Sequence, residues 1–230
     1  MDTVVSPEER YVRVNAGGGV SLDADLAIPR PASGIVVFAH GSGSNRHSPR
    51  NRLVARSLHR AGLGTILVSL LTADEEAEDL IRSNLRFDTV LLGRRLTAVV
   101  DWLQENPGTG RLMSGIFGSS TGAAGALIAA AERPALVAAV VSRGGRPDLA
   151  ASAIDRVKAP TLLIVGGNDS PIIDLNRKAL AALRSENKLV IVPGATHLFE
   201  EPGTLEQVVQ LARDWFVKYL TIGDPRLPQR

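Results

Sequence analysis

The five residues Gly118-Ser119-Ser120-Thr121-Gly122 are the stretch of the sequence best suited to do chemistry. They follow an apolar run at residues 112–117, which is typical of a buried strand, and precede an alanine-rich run at residues 123–131, which favours a helix. A Gly-x-Ser-x-Gly motif between a strand and a helix predicts a sharp turn with a strained serine at its tip. A β-carbon at either glycine would collide with that turn. The motif therefore predicts that Ser120 is a nucleophile.

A serine hydroxyl is a weak nucleophile at neutral pH, so Ser120 needs a neighbouring base. His197 is the best candidate, because it lies in a glycine-containing loop after the last predicted strand. The remaining histidines are expected to be a structural hydrogen bonder at the base of a loop, His40, and two residues without a catalytic role, His47 and His59.

The base in turn needs an acid that orients its ring. Asp169 ends the strand before the one that leads to His197, so its side chain is expected to reach the His197 loop. Asp174 lies one turn inside the following helix and is the weaker candidate. The predicted catalytic residues, in chain order, are Ser120, Asp169 and His197.

The negative charge that forms when a serine attacks a carbonyl needs two rigid donors. The N–H of Thr121 is one candidate, and the N–H of Ser42, in the loop after an early buried strand, is the other. Two further residues are candidate substrate contacts. Gly43 lets the same loop approach the substrate, and Arg143, just past a strand end, could bind a substrate carboxylate or form a structural ion pair.

The elements that would position these residues alternate along the chain. Two strands at residues 11–14 and 20–28 form an antiparallel hairpin, and apolar runs at 34–39, 65–70, 136–141, 161–165 and 188–192 predict buried strands between helices. The acidic residues 74–79 are expected to be a solvated loop or a helix start. This order predicts a three-layer α/β fold with a mostly parallel sheet, whose strand-to-helix loops share one edge.

The connection between residues 141 and 161 has room for one short helix and not for a lid domain. The whole chain, 1–230, is expected to be a single domain with loose ends at 1–9 and 221–230.

Composition excludes several other functions. The 230 residues are 44% hydrophobic, enough for one sizeable core, and 26 Lys and Arg against 24 Asp and Glu give a net charge of +2, so neither a nucleic-acid nor a membrane partner is expected. The absence of cysteine excludes disulfides, thiolate metal sites and a cysteine nucleophile. No nucleotide-binding or zinc-protease motif is present, so no metal or organic cofactor is expected. The first residues lack a signal-peptide pattern and no apolar run reaches membrane-spanning length, which predicts a soluble, cytoplasmic protein. The sequence does not indicate an oligomeric state.

The motifs resemble those of the α/β-hydrolase superfamily, and within it the small lidless members grouped with dienelactone hydrolase. The resemblance covers residues 20–220 and rests on four segments: His40-Gly41-Ser42-Gly43, Gly118-Ser119-Ser120-Thr121-Gly122, Gly166-Gly167-Asn168-Asp169 and Gly194-Ala195-Thr196-His197. The resemblance implies an α/β-hydrolase fold, and Ser120, Asp169 and His197 stand in the order of that superfamily's triad. Dienelactone hydrolase itself uses a cysteine nucleophile. The serine at position 120 puts the lactone substrate in doubt and favours hydrolysis of ordinary small esters or thioesters through an acyl-enzyme.

Two alternatives stay open at this stage. One keeps the same triad and passes the acyl group to another acceptor, as a cofactor-free acyltransferase or perhydrolase does. The other is a non-catalytic binding protein on a hydrolase scaffold, because a fold alone does not establish activity.

Overall fold

A computed structural model of the chain describes residues 7–150 and 152–221, and the described part is built around one sheet of eight strands. The predicted loose ends lie outside the described residues at 1–6 and 222–230, whereas Glu9 is already the first residue of a strand. The strands are β1 (Glu9–Asn15), β2 (Ser21–Ala27), β3 (Gly34–Ala39), β4 (Leu63–Val68), β5 (Ser114–Ser119), β6 (Val137–Arg143), β7 (Thr161–Gly166) and β8 (Asn187–Val192).

The order of the strands across the sheet is β1-β2-β4-β3-β5-β6-β7-β8. The hairpin β1–β2 is antiparallel and β2 also runs antiparallel to β4, while all remaining neighbours are parallel. The prediction of a mostly parallel sheet with an N-terminal antiparallel hairpin is confirmed. Strand β3 is buried at all six of its positions, as its continuous apolar run predicts for a central strand covered on both faces.

Six α-helices cover the sheet within the described residues. None of them combines the length and the apolar character that crossing a bilayer requires. The helices are α1 (Pro49–Arg60), α2 (Ala73–Arg82), α3 (Thr89–Glu105), α4 (Thr121–Glu132), α5 (Ser170–Ala182) and α6 (Thr204–Leu220).

Two hydrophobic clusters, one on each face of the sheet, give the three predicted layers. On one face Leu58 of α1 and Phe216 of α6 pack with Phe38 and Phe117 of the central strands. On the other face α3, α4 and α5 contribute residues such as Leu96, Leu127 and Ala179. The three-layer α/β architecture is therefore confirmed.

Helix α4 fits closely against its neighbours because most of its residues are small. Ten of its twelve residues are buried, and a β-carbon at Gly93 of the adjacent α3 would lie 2.5 Å from the Ile128 side chain. Close packing of this kind fixes the position of the helix that begins immediately after Ser120.

The connection from β6 to β7 contains two short 3₁₀ turns, Pro147–Ala150 and Ile154–Arg156, rather than one short α-helix. Within the described part of this connection there is no separate lid, as predicted.

Candidate active site

The turn that carries Ser120 is the shortest strand-to-helix connection among the described residues. Strand β5 ends at Ser119 and α4 begins at Thr121, so Ser120 alone makes the turn, with φ 49° and ψ −122°. A positive φ is rare for a residue with a side chain and marks a strained backbone. A β-carbon at Gly118 would lie 2.5 Å from the Cα of Ala123, and one at Gly122 would lie 2.5 Å from the carbonyl oxygens of Ala39 and His40. The two glycines of the motif are required by close backbone contacts.

His197 is held by Asp169. Nδ1 of His197 lies 2.7 Å from Oδ2 of Asp169, whose side chain is 15% exposed. A carboxylate only accepts hydrogen bonds, so the ring donates from Nδ1, and Nε2 is the nitrogen left to accept a proton. The weaker candidate, Asp174, is exposed and pairs instead with Arg177 at 3.2 Å.

The loops that carry the acid and the histidine are joined through their backbones. The N–H of Asn168 donates to the carbonyl of Ala195 at 2.9 Å, and its side-chain amide donates to the carbonyl of Gly194, also at 2.9 Å. These bonds hold the ends of the neighbouring strands β7 and β8 together. The two loops are therefore held to each other close to Asp169 and His197.

Ser120 and His197 line the same cavity, which has a volume of about 160 Å³. The structure thus brings the three predicted catalytic residues to one edge of the sheet. We call this space the nucleophile cavity; its walls are Gly41, Ser42, Ser44, Ser48, Arg50, Asn51, Ser119, Ser120, Arg143, His197 and Leu198.

The loop after β3 lies directly against Ser120. A β-carbon at Gly41 would lie 2.9 Å from the β-carbon of Ser120, which leaves no room for a larger residue there. The N–H groups of Ser42 and Thr121, the two predicted oxyanion donors, make no hydrogen bond to other described residues. Ser42 lines the nucleophile cavity. Gly43, at φ 72°, lines a second cavity and not this one.

His40 anchors this loop, as predicted for a structural hydrogen bonder. Its Nε2 accepts a hydrogen bond from the N–H of Leu70 at 2.9 Å, and its Nδ1 donates to the carbonyl of Gly41 at 3.0 Å. Burial lowers the pKa of the His40 imidazole, which keeps the ring neutral. His47 lies 4.0 Å from Asp25, and neither it nor His59 lines one of the two cavities.

A second cavity, of about 210 Å³, lies on the other side of the oxyanion loop. It shares Gly41, Ser42 and Ser44 with the nucleophile cavity and adds the apolar side chains of Leu71, Leu80 and Leu92. The more apolar half of the site could hold a small hydrocarbon group of a substrate.

Arg143 lies in the wall of the nucleophile cavity and is 8% exposed. Its Nε donates to Oγ of Ser119 at 3.3 Å, and its guanidinium lies 5.9 Å from the ring centre of Phe199. The sequence left open a substrate contact or a structural ion pair. Among the described residues no carboxylate forms an ion pair with Arg143, so this part of the chain gives no support to the second alternative.

Sequence reasoning missed the part of the cavity that α1 provides. Ser48 caps this helix by accepting a hydrogen bond from the N–H of Asn51, and the first turn places Arg50 and Asn51 in the cavity wall. The signal was present, because α1 follows the loop after β3 and must begin at the same edge of the sheet. Among the described residues no cluster of histidine and carboxylate side chains is suited to hold a metal ion.

Comparison with known proteins gives consistent results for family and fold. The sequence profile of the dienelactone hydrolase family matches residues 22–218. The crystal structure of a dienelactone hydrolase from Anabaena variabilis is similar with a TM-score of 0.92 at 58% identity, covering 94% of this chain and 99% of that one. Est1E from Butyrivibrio proteoclasticus shares the fold, with a TM-score of 0.74 at 15% identity over 90% of this chain and 98% of its own.

Similar curated proteins come from two strains of Mycobacterium tuberculosis, CDC 1551 / Oshkosh and H37Rv. Each is 52% identical over 221 residues, which is 96% of this chain and 49% of the relative. Both carry the name "Putative phosphoribosyl transferase". The chain thus spans about half the length of the curated relatives it matches.

Proposed function

The chain belongs to the dienelactone hydrolase family, and on that premise we propose that it is a serine hydrolase that cleaves small carboxylic esters or thioesters through an acyl-enzyme on Ser120. One observation carries the proposal. The strained Ser120 shares a cavity with a histidine whose Nδ1 lies 2.7 Å from the Asp169 carboxylate. Nucleophile, base and orienting acid are the parts that acyl transfer needs.

In the first half of the reaction Oγ of Ser120 attacks the carbonyl carbon of the substrate, and Nε2 of His197 takes the hydroxyl proton. Asp169 stabilises the imidazolium that forms and holds the ring in the required tautomer. The carbonyl oxygen becomes an oxyanion, which accepts hydrogen bonds from the N–H groups of Ser42 and Thr121. The tetrahedral intermediate then collapses, and the bond to the leaving alcohol or thiol breaks as His197 returns the proton to it.

In the second half water replaces the leaving group. His197 takes a proton from the water molecule as its oxygen attacks the acyl carbon, and the bond to Oγ of Ser120 breaks. The proton returns to Ser120 and the carboxylic acid leaves. No step needs a cofactor, since every proton is carried by Ser120, His197 or water.

Labelling with a fluorophosphonate tests the nucleophile directly, because the probe forms a covalent Oγ–phosphorus bond with loss of fluoride. We expect one adduct on the native chain, mapped by mass spectrometry to the peptide that contains Ser120, and none on Ser120→Ala. Ser33→Ala is the matched control, since Ser33 precedes β3 at the opposite edge of the sheet. A chain that stays unlabelled, or an adduct that persists in folded Ser120→Ala, would refute the proposal.

The same acyl-enzyme could pass its acyl group to an alcohol or to peroxide. Adding these acceptors to an esterase assay and measuring the new ester or peracid against the free acid separates hydrolysis from acyl transfer. Hydrolysis is the proposal here, because the family profile that matches residues 22–218 is that of a hydrolase. The name phosphoribosyl transferase belongs to relatives of which this chain covers 49%.

A further inference from the structure

Of the described residues that line the nucleophile cavity, two are arginines and none is acidic. One of them, Arg143, is more than nine-tenths buried. Its Nη1 has no hydrogen-bond partner among the described residues, although it is not exposed to solvent. A buried donor of a charged group is costly to leave unpaired, so this nitrogen points to a missing acceptor.

Two other arginines of this fold show how a guanidinium group is paired with a carboxylate. Arg52, two residues after Arg50 on α1, lies 2.7 Å from Asp25. Arg133 binds Asp101 at 2.6 Å. Compared with these two residues, Arg143 is more deeply buried and lacks the carboxylate. No carboxylate in the described part of the chain compensates its charge, and its recorded contacts are the Ser119 hydroxyl and the Phe199 ring.

Burial and, as the smaller cause, the positive charge of the nearby Arg50 together lower the pKa of Arg143 to about 10. Two cations therefore stand beside each other at the wall of one small cavity. Such an arrangement favours an anion between or in front of the two guanidinium groups.

The rest of the wall supplies further donors. The cavity wall includes Ser44 and Ser48, and Ser48 is the residue that caps the N-terminus of α1. The positive end of that twelve-residue helix faces the same space. Arg50 contacts Glu200 at 3.3 Å, but Glu200 is mostly exposed, and the buried Nε of Arg50 finds no partner in the described ranges 7–150 and 152–221.

We propose that Arg143 and Arg50 form a phosphate subsite beside Ser120, and that the substrate is an ester or thioester with a phosphate monoester close to its scissile carbonyl. The proposal rests on the serine hydrolase function proposed above. A phosphate monoester carries a charge of about −1.5 to −2 and three acceptor oxygens, which match two guanidinium groups and neighbouring hydroxyls. A carboxylate has a single charge and two oxygens.

The subsite lies within reach of the nucleophile because of strand pairing. Arg143 is paired with Ser119 between β6 and β5, and the N–H of Ser120 donates to the carbonyl of Arg143 at 3.3 Å. A phosphate held by Arg143 would thus lie only a few bonds from the acyl group that Ser120 attacks. The second, more apolar cavity across the oxyanion loop would take the other end of the substrate.

Binding of inorganic phosphate tests the subsite without any turnover. We expect isothermal titration calorimetry to detect phosphate binding to the native chain at constant ionic strength, and the dissociation constant to rise about tenfold to a hundredfold in Arg143→Gln or Arg50→Gln. Arg56→Gln is the matched control, because Arg56 lies on α1, is exposed and lines neither cavity. Arg50→Gln keeps the test decisive if Arg143→Gln fails to fold, since the Arg50 side chain is 31% exposed.

Turnover of matched esters tests the substrate class. The ratio of kcat/KM for 2-acetoxyethyl phosphate to kcat/KM for the neutral 2-methoxyethyl acetate should fall about tenfold to a hundredfold in either cavity variant, and stay constant in Arg56→Gln. A structural role of Arg143 would lower both rates together and leave the ratio unchanged. An unchanged ratio, or phosphate binding that is equal in native chain and variants, overturns the proposal.

Two further outcomes test the choice of phosphate and the serine hydrolase function separately. Equal preference for 4-acetoxybutanoate and the phosphate ester would overturn the assignment of phosphate. If phosphate binds as expected but Ser120 is not labelled by the fluorophosphonate, the serine hydrolase function fails while the anion subsite stands.

Discussion

The turn at Ser120 should be strained enough for Ser120→Gly to be more stable than Ser120→Ala. Ser120 has φ 49° and ψ −122°, and its side chain makes no cap hydrogen bond to α4. A residue with a β-carbon in such a region costs about 1–3 kcal/mol. Glycine removes that cost but gains freedom in the unfolded chain, which costs about 0.5–1 kcal/mol. The balance favours the glycine variant by about 1 kcal/mol.

The comparison uses two variants that both lack the hydroxyl, so the β-carbon is their only difference. Urea unfolding followed by circular dichroism gives the free energy of unfolding of each variant. In thermal unfolding of a chain of this size, a gain of about 1 kcal/mol should raise Tm by about 2–4 °C.

The neighbouring residue, Ser119, is the control for this measurement. It is the last residue of β5 and has an ordinary negative φ, so there Gly should be less stable than Ala, by about 0.5–1 kcal/mol. If Ser120→Gly is no more stable than Ser120→Ala while the Ser119 pair behaves as expected, the turn stores no strain and the reasoning is refuted.

Three other predictions concern the acid, the oxyanion loop and the buried histidine. Asp169→Asn should lower kcat by about 10⁴, because Asn favours the wrong tautomer of His197, whereas Asp174→Asn should leave kcat within about twofold of the native value. The reverse pattern in an esterase assay would identify Asp174 as the acid. Ser42→Ala should retain most activity, while Ser42→Pro, which lacks the N–H, should lower kcat by about 10²–10³ at an unchanged Tm; a severe defect in the alanine variant would assign the role to the hydroxyl. Burial lowers the pKa of His40 in the folded state. As pH drops below 6.5, the unfolded state therefore binds a proton at this histidine before the folded state does. The free energy of unfolding should then fall by up to about 1.4 kcal/mol per pH unit. His40→Gln should show a shallower fall in urea unfolding from pH 7 to 5, and an equal slope would contradict a neutral His40.

Most of the sheet could be predicted because buried strands are continuous apolar runs in the sequence. β3 has the predicted bounds, residues 34–39. For β5 the run at 112–117 predicts a strand two residues too early, since the observed strand is Ser114–Ser119. Apolar character ends at Phe117, but pairing with β3 and β6 continues through Gly118 and Ser119. Backbone pairing of small and polar residues leaves no hydrophobic signal, so the boundary was misplaced.

The proposed catalytic residues could be found from the sequence because each lies in the turn or loop after a strand. Parallel topology gathers these strand ends at one edge of the sheet. The surroundings of α2 could not be predicted from the sequence. Of the two predictions for its acidic stretch, the helix start agrees with the structure and the solvated loop does not. Glu75 completes a capping box with Thr72 and also pairs with Arg95, and the buried Asp79 pairs with Arg86. Glu75 and Arg95 are twenty residues apart and no local pattern predicts that they meet.

The β-carbon contacts of Gly122 have a consequence for how this chain folds. The Ser120 turn fits only when the ends of β5 and β3 are already side by side, since Gly122 packs on the carbonyls of Ala39 and His40, more than eighty residues earlier in the chain. His197 then joins from a strand that pairs with β7. A reactive Ser120 is thus expected only after contacts of high sequence separation have formed, which are the slow ones in refolding. Timed addition of the fluorophosphonate during refolding would then report completion of the sheet, later than the return of helical circular dichroism.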